Sequence, residues 1–312
     1  MRVVVTGGAG FIGANLCRRL VQRDTVDSVV AFDDLSTGDR SNLDGVCELV
    51  RGTILDVDEL DRCVVGADAI VHLAARPSVP RSLADPVASH VVNATGTVNV
   101  LESARRAGNL HVLVASSSSV YGSNPVLPKH EDLATRPMSP YAASKLAAEG
   151  YALAWQQSFG LPTLAFRFFN VFGPLQPAGH AYAAVVPTFI DAALAGRPLP
   201  VQGEGIQSRD FTYVDTVCAV LVDALERKVC AGEPVNLAYG TRTTLLDLID
   251  RLADVVGDEL VAEHSEPRPG DVLHSQADNT RLRQLFPSIE PVPLHEGLQQ
   301  TVRWFLSRAE TA

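Results

Sequence analysis

Tyr141 and Lys145 stand four residues apart in the stretch Ser139-Pro140-Tyr141-Ala142-Ala143-Ser144-Lys145. Ser139 is a good helix N-cap and Pro140 suits the first helical position, so the stretch predicts a helix start with both side chains on one face. A phenol beside an ammonium can be made into a base. Ionising a phenol near pH 7 takes about 4 kcal/mol, and a fixed neighbouring cation supplies part of that. The same spacing also occurs on ordinary amphipathic helices. It gains meaning from the serine run Ser116 to Ser119, one loop upstream.

A reacting pair needs a scaffold, and the first residues describe one. Arg2 to Thr6 is a β-branched run that breaks into Gly7-Gly8-Ala9-Gly10-Phe11-Ile12-Gly13, after which helical spacing continues through Leu16, Leu20 and Val21. In a strand–turn–helix context, Gly7 suits a tight turn, Gly10 the close approach of a pyrophosphate, and Gly13 the packing of helix on strand. The pyrophosphate would sit at the helix N-terminus, beside Phe11 and Ile12. Twenty residues after Gly13, a second strand ends in Asp33-Asp34. A carboxylate there favours NAD over NADP by accepting from ribose hydroxyls, whereas the nearby Arg40 pulls the other way.

The alternation of strands and helices continues. Asp56 can reach an adenine edge or cap a helix. The strand from Ala69 runs into Leu73-Ala74-Ala75, where small residues let backbone approach a cofactor, and His72 reads as a packed histidine because no metal-type partner is spaced for it. A long helix is expected over Val87 to Ala107 with Asn93 inside it, then a strand Val112 to Ala115 with Ser116 to Tyr121 at its carboxyl end, where open α/β sheets bind ligands. Helix 141–159 leads to strand Thr163 to Phe168. Beyond Asn170 the order becomes mixed: a helix over Ala183 to Ala195, a strand Leu199 to Gln202, a helix Asp215 to Lys228 and a strand Val235 to Leu237. Arg209 and Arg268 are either solvated surface or a diphosphate clamp.

Bulk properties narrow the classes. The chain has 312 residues, is 46% hydrophobic and carries a net charge of −10, which allows a sizeable core and argues against nucleic acid or an anionic membrane as partner. Five scattered cysteines (Cys17, Cys47, Cys63, Cys218, Cys230) read as buried apolar residues in a reducing compartment. No signal peptide and no long apolar run are seen, so a cytoplasmic protein is expected.

In combination, these motifs and Arg167-Phe168-Phe169-Asn170-Val171-Phe172-Gly173-Pro174 make the chain resemble the extended short-chain dehydrogenase/reductase superfamily, from Arg2 to about Phe305. The segments Ser78 to Ser82, Ala181 to Pro187 and Gly270 to Asp278 look most like UDP-N-acetylglucosamine 4-epimerases. The resemblance implies a Rossmann-like, doubly wound, mainly parallel sheet with a smaller C-terminal α/β substrate domain. Residues 1–170, with returning segments about 205–240, would bind NAD; 171–204 and 241–312 would bind a nucleotide sugar. Tyr141 would be the proton acceptor, Lys145 would bond the nicotinamide ribose, and Ser117 would bridge Tyr141 and the sugar. Asn93 and Phe168 would border the cofactor. Ser78, Arg81, Ser118, Ser119 and Ser275 would border the sugar. Asn170, Arg209 and Arg268 would hold the diphosphate, Asp271 the ribose, and Ala184, Val185, Val201 and Gln202 the base.

The superfamily's 4,6-dehydratases carry an Asp-Glu pair just after the catalytic position, and its decarboxylases a Glu; this chain has Ser118 and Ser119. Eliminating a hydroxyl needs acid–base groups. The expectation is therefore NAD-dependent 4-epimerisation of a UDP-hexose, N-acetylated sugars included, through a transient 4-keto sugar, in a homodimer joined through helices 87–107 and 141–159. The alternatives are another nucleotide-sugar enzyme of the superfamily (uronic acid epimerase, dehydratase, decarboxylase or reductase) and a nucleotide-binding protein without turnover.

Overall fold

The computed structural model describes residues 1–178, 183–266 and 272–309. The valines of the first strand show how the core is built. Val3 and Val5 join one apolar cluster with Leu16, Cys17, Val217 and Leu221, while Val4 joins a second with Leu60, Val100 and Leu101. Successive side chains of a strand point to opposite faces, so a strand apolar at every position must be covered on both. Fully burying one such leucine contributes about 1.5–3 kcal/mol.

Strands and helices alternate in the first half: β1 (Arg2–Thr6), α1 (Phe11–Leu20), β2 (Ser28–Asp33), β3 (Glu48–Arg51), α2 (Val57–Val64), β4 (Ala69–His72), α3 (Val79–Ala84), α4 (Pro86–His90), α5 (Gly96–Arg106), β5 (His111–Ser117), α6 (Pro140–Phe159) and β6 (Thr163–Phe168). The second half is more broken: β7 (Asn170–Phe172), α7 (Val185–Leu194), β8 (Leu199–Gln202), β9 (Ser208–Arg209), β10 (Phe211–Tyr213), α8 (Val214–Glu226), β11 (Val235–Leu237), β12 (Thr243–Thr244), α9 (Leu245–Val256), β13 (Ala262–Ser265), α10 (Thr280–Leu285) and α11 (Leu294–Ala309). Seven strands form one sheet in the order β11-β6-β5-β4-β1-β2-β3, with every pairing parallel. The strand order reverses between β1 and β4, which opens a crevice at the carboxyl edge. This is the Rossmann-like, doubly wound fold that the motifs imply.

The remaining strands pair in twos, β7 with β10, β9 with β12 and β8 with β13, and α7, α9 and α11 pack together beside them. The first apolar cluster runs unbroken from β1 to Phe189, Leu248 and Leu298, so this layer shares a core with the sheet. Among the described residues no helix is long and apolar enough to cross a membrane.

Three expectations change. The helix expected over 87–107 is instead the end of α4, a π-helical turn at Val91–Thr95 and α5, with α3 a separate helix before them. Asp85 accepts from Ala88 N at 3.0 Å and Pro86 opens α4, a local start signal that separates it from α3. β5 runs to Ser117, so Ser116 and Ser117 belong to the strand and pair with Arg167 and Phe168. Cys17, Cys63 and Cys218 are buried, but Cys47 is half-buried and Cys230, in the turn after α8, is exposed.

Candidate active site

The glycine turn after β1 lies against the end of β4. Gly7 has φ +72°, and a Cβ there would stand 2.7 Å from the Ala74 amide nitrogen. A Cβ at Gly13 would stand 2.2 Å from the Gly7 carbonyl oxygen, so α1 begins directly on the turn. Gly10 is the N-cap of α1 and brings no side-chain cap, which leaves the end amides around Phe11, Ile12 and Gly13 for an anion. Asp33 closes β2. Its Oδ2 accepts from Ala9 N at 2.9 Å and its Oδ1 from Leu35 N at 2.8 Å, so it fastens the glycine turn. Burial pushes the Asp33 carboxyl up while these amides pull it down. Together these groups fit a dinucleotide: a turn that tolerates no side chain, an uncapped helix end and a carboxylate on the second strand.

The other expected cofactor residues surround this crevice or stand behind it. Leu73 N donates to Thr6 O at 3.0 Å, and Ala74 N to the Thr6 hydroxyl at 3.3 Å, with Ala75 half-buried beyond. Asp34 is exposed and accepts from Ser36 N. Asp56 caps α2, accepting from Glu59 N at 3.0 Å; of its two readings, capping is the contact it makes. Asn93 lies in the π-helical turn, buried, with Ser144 of α6 as a partner at 2.9 Å. Phe168 is buried at the end of β6.

Ser139 caps α6 by accepting from Ala142 N at 3.1 Å and Pro140 follows it, as the sequence predicts. Tyr141 and Lys145 therefore sit one turn apart near the end of β5. The Ser117 hydroxyl accepts from Ser119 N at 3.2 Å and from the Ser119 hydroxyl at 2.9 Å. Its own hydrogen is then available to Tyr141, and this bond lowers the phenol's pKa. Burial is the larger influence, and it raises the phenol above its ordinary value. The Lys145 ammonium donates to Ala115 O at 2.8 Å, and burial pushes its pKa down to about 8.

Toward the second layer, Asn170 N donates to Asp210 O at 3.1 Å, and Arg209 Nη1 donates to Ser208 O at 2.9 Å and Leu273 O at 3.3 Å. Ser275 is half-buried and its N donates to Ser208 O at 3.0 Å, so Asn170 and Ser275 are each bonded to the backbone of a residue next to Arg209. Ser118 and Ser119 form a short 3-10 turn after β5. Ser78, at φ +94°, is the N-cap of α3, which carries Arg81 and packs on α6. Ala184 is exposed at the start of α7 with Val185 half-buried, and Gln202 accepts at its carbonyl from Gln207 at 2.6 Å. Val201 lies within β8 and its side chain is fully buried in the core, because alternation along the strand turns it inward. Arg268 and Asp271 lie outside the described residues.

Sequence reasoning missed the buried polar groups behind these residues. Ser116 donates to Glu149 Oε2 at 2.6 Å, and Glu149 takes Arg167 in a two-point ion pair at 2.6 and 2.9 Å. The Arg167 guanidinium stands 4.7 Å from the Tyr121 ring centre, and the Tyr121 hydroxyl donates to Asn236 at 2.7 Å. Asp210, pushed up to about 6 by burial, accepts from Gly240 N, Thr241 and Ala277 N. Ionisable residues within apolar strand and helix faces were the available signal.

The chain also has known relatives. It is 38% identical to a UDP-glucose 4-epimerase of Mycolicibacterium smegmatis over 99% of this chain and 100% of the relative. It is 34% identical to a dTDP-glucose 4,6-dehydratase of Streptomyces niveus over 98% of this chain and 93% of that one. A solved UDP-N-acetylglucosamine 4-epimerase from Methanobrevibacter ruminantium, in complex with UDP-N-acetylmuramic acid, is similar with a TM-score of 0.92 and 35% identity, covering 98% of each chain. A model of the NAD dependent epimerase/dehydratase family matches residues 3–238. With its glycine turn, its Asp33 strand end and its Tyr141–Lys145 helix in place, the chain belongs to the NAD-dependent epimerase/dehydratase family.

Proposed function

We propose that this chain epimerises a UDP-hexose at C4, with N-acetylated sugars among its substrates. The observation that carries the reading is the Ser119–Ser117–Tyr141 arrangement beside the glycine crevice, with serines where an elimination would need carboxylates. The epimerase relatives support it. The NAD held by the glycine turn supplies, when bound, a reversible acceptor for the hydrogen on C4. Tyr141 takes the proton of the sugar 4-hydroxyl, passing charge into the bond from Ser117, and later returns it. Buried Lys145 keeps a positive charge one turn away, which favours the phenolate. Asn170 and Arg209 hold the diphosphate, so binding energy from the nucleotide retains the 4-keto sugar while it turns over.

The test is a panel of UDP- and dTDP-sugars incubated with the enzyme and its NAD. The expected product is the C4 epimer of a UDP-sugar without net NADH. A 4-keto-6-deoxy product would replace this reading with dehydration.

A homodimer is part of the proposal. Leu83 and Val87 are 63% and 70% exposed on α3 and α4, and Tyr151 is 39% exposed on α6, an apolar surface that a second copy would cover. Light scattering at micromolar concentration should give twice the chain mass; a monomer refutes it.

A further inference from the structure

His72 ends β4 with 3% of its surface exposed, and both ring nitrogens are engaged. Nδ1 is 2.7 Å from the Thr6 hydroxyl and Nε2 is 3.0 Å from the Thr97 hydroxyl. The direction of this chain can be worked out. The Thr97 hydroxyl also lies 2.6 Å from the Asn93 carbonyl, which can only accept, so the Thr97 hydrogen goes there. Thr97 must then accept from His72, which places the ring proton on Nε2. Nδ1 is left to accept from the Thr6 hydroxyl, whose oxygen accepts in turn from Ala74 N at 3.3 Å. Burial and the Lys145 ammonium push the imidazole down to about 3, so it is neutral throughout the ordinary working range.

Both ends of the chain reach the working site. At one end are Thr6 and Ala74, the backbone against which Gly7 turns. At the other, Asn93 Oδ1 accepts from Arg76 N at 2.7 Å, and its Nδ2 donates to Arg76 O at 3.2 Å and to Ser144 at 2.9 Å. Ser144 then donates to the carbonyl of Tyr141 at 2.8 Å. Asn93 sits in the π-helical turn, where Gly96 N reaches back five residues to Val91 O. A π turn departs from the regular ladder, and here its Asn93 is held from outside the helix by Arg76 and Ser144. We infer that His72, as its Nε2–H tautomer, is a positioning residue that ties the cofactor turn to Asn93 and through it to the turn of α6 bearing Tyr141. This rests on the proposed epimerase reading for its effect on turnover, but not for the hydrogen-bond chain itself.

Two measurements test it. Nitrogen NMR of the histidine-labelled holoenzyme should show His72 neutral, with a protonated Nε2 and a bare Nδ1; the opposite tautomer or an imidazolium overturns the inference. The variants His72→Phe and His72→Gln separate positioning from filling of space, since Phe keeps a ring but no bond and Gln keeps a donor toward Thr97. His72→Phe should lose kcat by about tenfold or more through misplacement of the reacting groups, with KM for the nucleotide sugar changed by less than about twofold. It should also retain less NAD through gel filtration, and His72→Gln should recover most of both losses. Wild-type kcat in His72→Phe, or His72→Gln no better than His72→Phe, overturns the inference. If His72→Phe fails to fold, the wild-type tautomer and the kcat of His72→Gln decide. Should no sugar be epimerised by the wild type, that reading falls, and the tautomer and NAD retention still decide the chain.

Discussion

The Lys145 ammonium donates to the carbonyl of Ala115 at 2.8 Å, joining the second turn of α6 to the strand that ends in Ser117. One side chain thereby ties α6 to β5 one turn beyond Tyr141, and in the proposed mechanism it also supplies the positive charge that favours the phenolate. Burial raises the phenol, so activity that depends on the phenolate should rise with pH. The positive charge moves that limb down, because it favours the ionised phenol. Lys145→Met removes it, and the rising limb of kcat/KM should shift to higher pH. In the wild type, the support fades above about 8 as the ammonium discharges. A pH profile that does not move on substitution would remove Lys145 from this role.

Tyr141→Phe deletes one hydroxyl from a half-buried ring and leaves the capped start of α6 intact. Folding and NAD retention should be unchanged. Turnover should fall by about 10²–10⁴, the usual worth of a positioned proton-transfer group. Single-turnover measurement with bound NAD checks it, and near-normal conversion would exclude Tyr141 as the base.

What could be read from the sequence was what local signals decide. The β1 valines, the glycine turn and the Ser139-Pro140 start of α6 are each written within a few residues, and each stands where expected. The π-helical turn between α4 and α5 is decided partly at a distance. Gly96 lies against Ile54, where a Cβ would come within 2.4 Å of its side chain, and Asn93 binds the backbone of Arg76. The partner of Lys145 lies thirty residues away, and that of Glu149 eighteen, on a strand whose register the sequence does not display. The burial of Val201 was not legible either, because a motif match identifies a segment, whereas strand alternation decides which of its side chains turn inward.

The Glu149–Arg167 pair offers a stability prediction. Both side chains are 4% exposed, and their remaining contacts go to Ser116, Glu131 O and the Tyr121 ring. Removing one partner leaves the other charged and buried, which costs about 3–5 kcal/mol. Glu149→Leu or Arg167→Met alone should therefore lower the urea midpoint strongly. The double variant should recover much of the loss, since paired apolar replacements of buried ion pairs are often neutral. Additive losses in the double variant would show that the two residues act independently.

The last prediction concerns sugar size. Ser275 is half-buried, and its backbone is held by Ser208 on the strand that leads into Arg209. Its neighbour His274 is held by the Ser208 hydroxyl at 2.9 Å, so this segment is fastened to β9 through both backbone and side chain. In the proposed substrate pocket, a small residue here leaves room for a 2-acetamido group. Ser275→Tyr would place a ring in that space, and overlap with packed groups costs about 1–3 kcal/mol. At about 1.4 kcal/mol per decade, UDP-N-acetylglucosamine should lose about tenfold in kcat/KM while UDP-glucose changes little. The measurement is the ratio of the two specificity constants in wild type and variant. An unmoved ratio would show that Ser275 does not border the sugar, and the case for N-acetylated substrates would lose its structural support.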